Sequence, residues 1–460
     1  MIDRRIIENT ITAALSTGGD FAEVFIEDKT GIGISMISGK TENIMSGRDF
    51  GIGIRIFKGY KSVYAYTNKS DENTLIETAK KAAIAVSGKS SIKDVVIKNV
   101  KHENNHLIEI NPSEIEARKK IEIMKRAYIS AKNYDSMITQ VTVNYQDYNQ
   151  SVAVANSEGL YAEDKRTRSR IAVGSVASKD GEMQSGSSSP GAHKGFEFLN
   201  DIDVEWHGEE ASRIAKTMVN ADYSPSGKMP VIIHNGFGGV IFHEACGHGL
   251  EATSVAKGNS VFAEKINHKV ASELVTAIDD GSMSNGWGSS NIDDEGNKTQ
   301  KNILIDKGIL KGYMVDKLNG RRMGMEATGS SRRQSYKYSP TSRMTNTYID
   351  NGSSKFKDII KNTEKGLFAK YMGGGSVNPA TGEFNFAVME GYLVNNGEIK
   401  KPVRGATLIG KGIDVLNKID MVGDNLSFGQ GMCGSSSGTV PANVGQPTIR
   451  VSEITVGGRD

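Results

Sequence analysis

Residues 243–251 read His-Glu-Ala-Cys-Gly-His-Gly-Leu-Glu, two imidazoles five positions apart with a carboxylate directly after the first. Imidazole nitrogen is a good donor to a divalent metal, and a neighbouring carboxylate can take a proton from water activated there. In the familiar zinc peptidase pattern the histidines lie four apart and share one helix face. Five positions leave them roughly 140° apart on a regular helix. The spacing therefore predicts that the helix breaks, with Gly247 and Gly249 supplying the backbone freedom for a kink, bulge or helix end. Glu244 is then the candidate general base. Catalytic zinc sites use three protein ligands and leave one position open, so a third donor is required. Cys433 is the strongest candidate, because the glycines of Gly429-Gln430-Gly431-Met432-Cys433-Gly434-Ser435 let its backbone approach closely. Glu251, one turn beyond His248, is the second.

Other chemistry-bearing residues support less. Gly434-Ser435-Ser436-Ser437-Gly438 has the form of a hydrolase nucleophile elbow around Ser436, but Pro441 follows where that elbow needs a helix. Asp293-Asp294-Glu295-Gly296 lacks the spacing of a calcium loop and reads as a solvated turn, as does Asp279-Asp280-Gly281. Cys246 reads as a small buried hydrophobe. The histidines at 102, 106, 193, 207, 234 and 268 have no supporting ligand motif. Arg332, Arg333 and Arg343 are candidates to stabilise an oxyanion. The Gly373–Gly375 run could let an extended peptide add to a sheet edge.

The elements that must position these groups follow from the patterning. At 460 residues two domains are expected. Fifty-two glycines against nine prolines point to many tight turns in a sheet-rich protein. Ile52, Ile54 and Ile56 alternate as in a strand, as do residues in 141–145, 151–156 and 168–178, the last two joined by a turn at 157–159. Helices are expected from Ser70 to Gly88, from a capping box at Ser113 and Glu116, and from Val204 to Val219. The stretch from Ala221 to Pro230, with its two prolines, marks a domain connection, giving units 1–222 and 223–460. Beyond it, hairpins are expected around Asp306-Lys307-Gly308 and Asn395-Asn396-Gly397. The fold class is α+β: an N-terminal sheet-and-helix unit, then a mainly antiparallel β unit carrying the metal-binding helix.

Lys and Arg number 56 against 54 Asp and Glu, which gives no electrostatic reason to expect nucleic acid as a partner. No apolar run approaches a membrane span, and charges at Asp3, Arg4, Arg5 and Glu8 argue against a signal peptide. Two cysteines suit a reducing compartment. A cytoplasmic protein is expected.

The chain resembles the TldD/PmbA family, once called modulators of DNA gyrase, and within it the metal-bearing TldD branch. The likeness spans essentially the whole sequence. It is densest through residues 243–251, Val270-Ala271-Ser272-Glu273-Leu274, Ile292-Asp293-Asp294-Glu295-Gly296, Arg343-Met344-Thr345-Asn346-Thr347-Tyr348, Gly373-Gly374-Gly375 and Val444-Gly445-Gln446-Pro447-Thr448. The resemblance implies a metallopeptidase with Zn2+ on His243, His248 and Cys433 and with Glu244 as the catalytic glutamate. It also implies unfolded or flexible peptides as substrates and a dimer enclosing the site, either a homodimer or a pair with a related subunit lacking the ligands. Two positions depart from the family: Cys246, usually a small apolar residue, and the Gly434–Gly438 loop. The rival reading is a non-catalytic binding subunit that modulates a partner protein.

Overall fold

Phe21–Glu27 shows how the first sheet acquires two working faces. Ala22, Val24 and Ile26 point one way, while Phe21, Glu23, Phe25 and Glu27 point the other. In the computed structural model, which describes residues 2–86, 88 and 95–459, this segment lies in the strand Phe21–Ile37. Three other strands are comparably long, Lys40–Lys58, Ile138–Asn156 and Leu160–Lys179. The sheet order is Lys61–Thr67, Lys40–Lys58, Phe21–Ile37, Ile138–Asn156, Leu160–Lys179, and short strands at 98–99, 182–188 and 191–192 pair with the last of these.

Strands this long bury two cores along their length. At one end Ile52, Ile54 and Ile56 lie beneath the helices Arg4–Ala14 and Glu72–Ile84, meeting Ile7, Ile11 and Leu75. At the other, Ile34, Met36, Val141 and Val143 lie beneath Ala117–Asn133 and Val204–Val219, meeting Met124, Ala127 and Ala211. The last helix has the expected bounds. The helix expected from Ser70 is capped instead by Asp71, whose side chain accepts from Thr74 N, and it ends at Ile84, before Gly88. The capping box at Ser113 does not form. Pro112 starts a short 3-10 turn capped by Asn111, the Ser113 hydroxyl turns back to Asn111 Oδ1 at 2.9 Å, and the α-helix begins at Ala117.

In the second half, the strands Lys365–Asn378, Gly227–Ile233, Ile449–Gly457, Thr407–Lys411 and Glu383–Asn395 pair in that order, and the first also pairs with the last, closing a five-stranded barrel. A six-stranded sheet lies beside it, in the order 309–310, 301–306, 277–280, 346–349, 438–446, 427–435. Most pairings are antiparallel, but 231–233 with 367–369 and 346–348 with 443–445 are parallel. Both expected hairpins are present. Their Lys307-Gly308 and Asn396-Gly397 loops place both residues at positive φ, the left-handed turn that suits strand twist.

The outward face of the first sheet is covered by the second half through buried charge. Arg55 lies 2.7 Å from Glu23 and 2.6 Å from Glu295, Arg166 lies 2.6 Å from Asp294, and Arg333 lies 2.7 Å from Glu23. The expected solvated turn at 293–296 is therefore wrong: Asp293, Asp294 and Glu295 are buried in this network. Asp279 is likewise a buried strand residue, accepting from Thr345 and Thr347.

Candidate metal centre

The histidine segment lies between the barrel and the six-stranded sheet, packed against strands of both. It starts as a 3-10 turn at Phe237–Gly239, becomes α-helical over Val240–Ala245, breaks at Cys246 (φ −129°, ψ −44°) and resumes as a 3-10 turn over Gly247–Leu250. The regular helix thus fails where the histidine spacing required, but not through freedom of the glycine backbone. The break falls on Cys246, and neither Gly247 nor Gly249 has positive φ. What these glycines provide is space: a Cβ on Gly247 would lie 2.1 Å from Met344 Sδ, and one on Gly249 2.9 Å from the Phe262 ring.

The break brings the two imidazoles together, with ring centroids 5.3 Å apart and planes at 86°. Cys433 reaches them from the strand Ser427–Ser435, where it pairs with Val440. Its Sγ lies 3.3 Å from His243 Nε2 and 3.6 Å from His248 Nε2, and the three donor atoms all lie within 4.8 Å of one another. Zinc bond lengths in a tetrahedron put nitrogen and sulfur ligands about 3.6 Å apart, so this donor set fits such an ion. Burial pushes the Cys433 thiol up, but the adjacent His243 and hydrogen bonds to both histidines outweigh it and bring the pKa to about 3. The thiolate is the form a metal needs.

The surroundings orient these donors. His248 Nδ1 lies 3.2 Å from Glu251 Oε2. That contact leaves Nε2 facing Cys433 and puts Glu251 behind the histidine, in an orienting position rather than among the clustered donors. Burial pushes His248 down, but the Glu251 charge and its bonds to Cys433 and Glu251 raise it well above its ordinary value. His243 is buried, and its Nδ1 has no partner among the described residues. Glu244 is the more open carboxylate, its side chain 27% exposed, with Oε2 3.5 Å from His248 Nε2.

Arg343 is fully buried and donates to Ser437 Oγ at 2.9 Å, Gly438 O at 2.8 Å and Cys433 O. Its Nε lies 3.8 Å from Glu251 Oε1. It clamps the Cys433 hairpin with both Nη groups, while Nε makes no hydrogen bond among the described residues. Arg333 is held by Glu23 and the Asp294 carbonyl. Ser436 sits at the turn of that same hairpin, not between a strand and a helix. Cys246 is buried, and burial raises its thiol well above the ordinary range. The pairing of the strand Lys365–Asn378 with Glu383–Asn395 is interrupted at Gly373 and Gly374 and resumes at Gly375, and the other edge of this glycine segment has no strand partner among the described residues. Sequence reasoning missed Glu23, Arg55 and Arg166. Their only signal was charged residues alternating through otherwise apolar strands.

Two imidazoles and a thiol converging beside a carboxylate define a protein with a candidate metal-binding centre. Comparison with known proteins narrows the class. The chain matches, in order, the models for PmbA/TldA metallopeptidase domain 1 at residues 22–86, the central domain at 110–219 and the C-terminal domain at 226–458. It is 39% identical over 423 residues to a metalloprotease TldD homolog of Haemophilus influenzae, covering 89% of this chain and 87% of that one. Over 234 residues, 51% of this chain and 52% of the relative, it is 32% identical to a zinc metalloprotease TldD homolog of Saccharolobus solfataricus. The fold superimposes on the crystal structure of a putative modulator of a DNA gyrase from Thermotoga maritima with a TM-score of 0.81 at 21% identity, covering 99% of this chain and all of that one. The chain belongs to the PmbA/TldD metallopeptidase family. Among the described residues, no helix is long and apolar enough to cross a membrane.

Proposed function

We propose that the chain is a cytoplasmic, zinc-dependent peptidase acting on unfolded or flexible peptides, with His243, His248 and Cys433 as ligands and Glu244 as general base. The observation that carries the reading is the convergence of two imidazoles and a thiol from segments 190 residues apart, with one carboxylate left open beside them. Bound zinc would supply Lewis acidity, polarising a peptide carbonyl and making water acidic enough to attack it at neutral pH. Glu244, the open carboxylate beside the donors, would accept a proton from attacking water and pass it to the departing amine. Glu251 holds the His248 ring in place, and Arg343 fixes the strand that presents Cys433.

The chain divides at 222/223 into two units, a reading supported by the change from the long N-terminal sheet to the barrel and its companion sheet. An extended peptide lies along the open edge of 370–378. An enclosing dimer, a homodimer or a pair with a metal-less relative, completes the proposal, and nucleic acid has no part in it. The test is zinc content and hydrolysis of an unstructured peptide for wild type and Glu244→Ala. Equal zinc with activity only in wild type is expected. Absence of zinc, or activity independent of Glu244, would replace this reading with that of a non-catalytic binding subunit.

A further inference from the structure

A small, partly open cavity of about 90 Å³ lies between the first sheet and the Cys433 hairpin, outside the metal cluster. Four arginines line it, in two unlike pairs. Arg166 and Arg333 are neutralised, Arg166 by Asp164 at 3.0 Å and Asp294 at 2.6 Å, Arg333 by Glu23 at 2.7 Å. Arg168 and Arg332 have no carboxylate partner among the described residues, although they are only 3% and 8% exposed. Arg168 donates to neutral oxygens alone, Trp287 O at 2.8 Å, Tyr148 Oη at 3.3 Å and Ser289 O. Among the described residues the Arg332 side chain makes one hydrogen bond, from Nη1 to Met344 O at 2.6 Å, and Nε and Nη2 make none. Asp294, whose charge acts on Arg332, is already taken by Arg166 and by Arg333 N.

Burying Arg332 near Arg168 with no ion pair of its own opposes folding, so the arrangement calls for an anion. Burial, with Arg168 adjacent, pulls Arg332 down to about 9. Burial pushes the Tyr148 phenol up, yet Arg168 and Lys29 outweigh it and lower it. The lining sets five cations, Lys29 and the four arginines, against two carboxylates, Asp293 and Asp294, so the cavity favours negative charge at its centre. A space this small suits one carboxylate or phosphate group better than a length of peptide chain. Lys29, Gln146 and Tyr148 also line an open groove of about 680 Å³ along the first sheet, so an extended ligand in the groove could place one end in the cavity. Met432 and Val440 form another wall, next to Cys433 in sequence and opposite it in the hairpin.

We propose that Arg168 and Arg332, with Tyr148, form a seat for an oxyanion, filled by the terminal carboxylate of a peptide or by free phosphate. Guanidinium groups pair with either, in planar and often bidentate geometry. The seat stands apart from the peptidase reading, because it needs neither the metal nor Glu244.

The test is thermal unfolding of the full chain in rising inorganic phosphate, for wild type, Arg332→Gln and Arg168→Gln. A ligand of the folded state raises the wild-type Tm with concentration. The expected result is that each variant loses at least tenfold in apparent phosphate affinity with its zinc content unchanged. Without anion, Arg332→Gln should be as stable as wild type or more so, which a purely structural arginine would not allow. A peptide that displaces phosphate with a free carboxyl terminus but not an amidated one identifies the terminus as occupant; two equally inert peptides identify the free anion. Phosphate stabilisation that survives both substitutions, or that disappears on zinc removal, would overturn the seat. If a variant fails to fold, wild type alone decides, since absence of any anion-dependent stabilisation would refute it.

Discussion

Replacing Gly247 by alanine tests whether space or backbone freedom dictates glycine beside the second histidine. The new Cβ would lie 2.1 Å from Met344 Sδ and 3.1 Å from its Cε, where carbon and sulfur need about 3.5–4 Å. Met344 is fully buried, so its side chain cannot swing to solvent. The turn cannot retract freely either, because Cys246 N bonds Phe242 O and Leu250 N bonds Cys246 O. Overpacking of this kind costs about 1–3 kcal/mol. The displacement falls next to His248, whose Nε2 must stay near 3.6 Å from Cys433 Sγ, so zinc affinity should drop with stability. Met344→Ala alone should cost about 2–5 kcal/mol through the cavity it leaves. In the double variant the alanine methyl occupies part of that cavity, so the combined loss should fall short of the sum by at least about 1 kcal/mol. Urea unfolding of the four proteins measures the coupling, and competition with a zinc chelator measures the site. A coupling of zero, with Gly247→Ala equally damaging in both backgrounds, would refute the steric account and restore the backbone one.

Glu251→Gln keeps a side chain behind His248 but removes its charge, and zinc affinity should fall about 10- to 100-fold in the chelator competition; an unchanged affinity would remove Glu251 from the site. Arg55→Met leaves Glu23 and Glu295 buried with one fewer partner and should cost about 3–5 kcal/mol in urea unfolding; a loss under about 1 kcal/mol would show that water enters the network. Burial and the Glu295 charge push Asp293 from its ordinary 3.8 up to about 7. Between those values the folded chain holds a proton that the unfolded chain has released, so this group makes stability decline as pH rises through the window. Asp293→Asn should flatten that decline, and parallel stability curves for variant and wild type from pH 4 to 7 would contradict the assignment.

The parts of the fold legible in the sequence are those decided locally. Lys307-Gly308 and Asn396-Gly397 specify their turns because left-handed backbone is costly for most residues, and the isoleucines at 52, 54 and 56 specify a buried face because a strand alternates. The histidine spacing was legible for the same reason: five positions cannot share a regular helix face, so a break had to follow. The cause of the glycines was not, since the atom that excludes a Cβ at Gly247 belongs to residue 344. Nor was the burial of Asp294 and Glu295. Arg55 and Glu295 meet across 240 residues of chain, and before that meeting three consecutive acids look like a solvated turn.

Cys433 shows how these two kinds of determinant combine. Its residue type and its glycine neighbours were visible, but whether its thiol faces the histidines depends on strand register. Cys433 pairs with Val440, and a slip of one residue would turn the thiol to the opposite face of the hairpin. The clamp on that register is Arg343, which holds Cys433 O and Gly438 O from one guanidinium. Arg343 also lies 3.8 Å from Glu251, the carboxylate behind His248. One buried arginine therefore touches the supports of two of the three donors, which accounts for its place in the site.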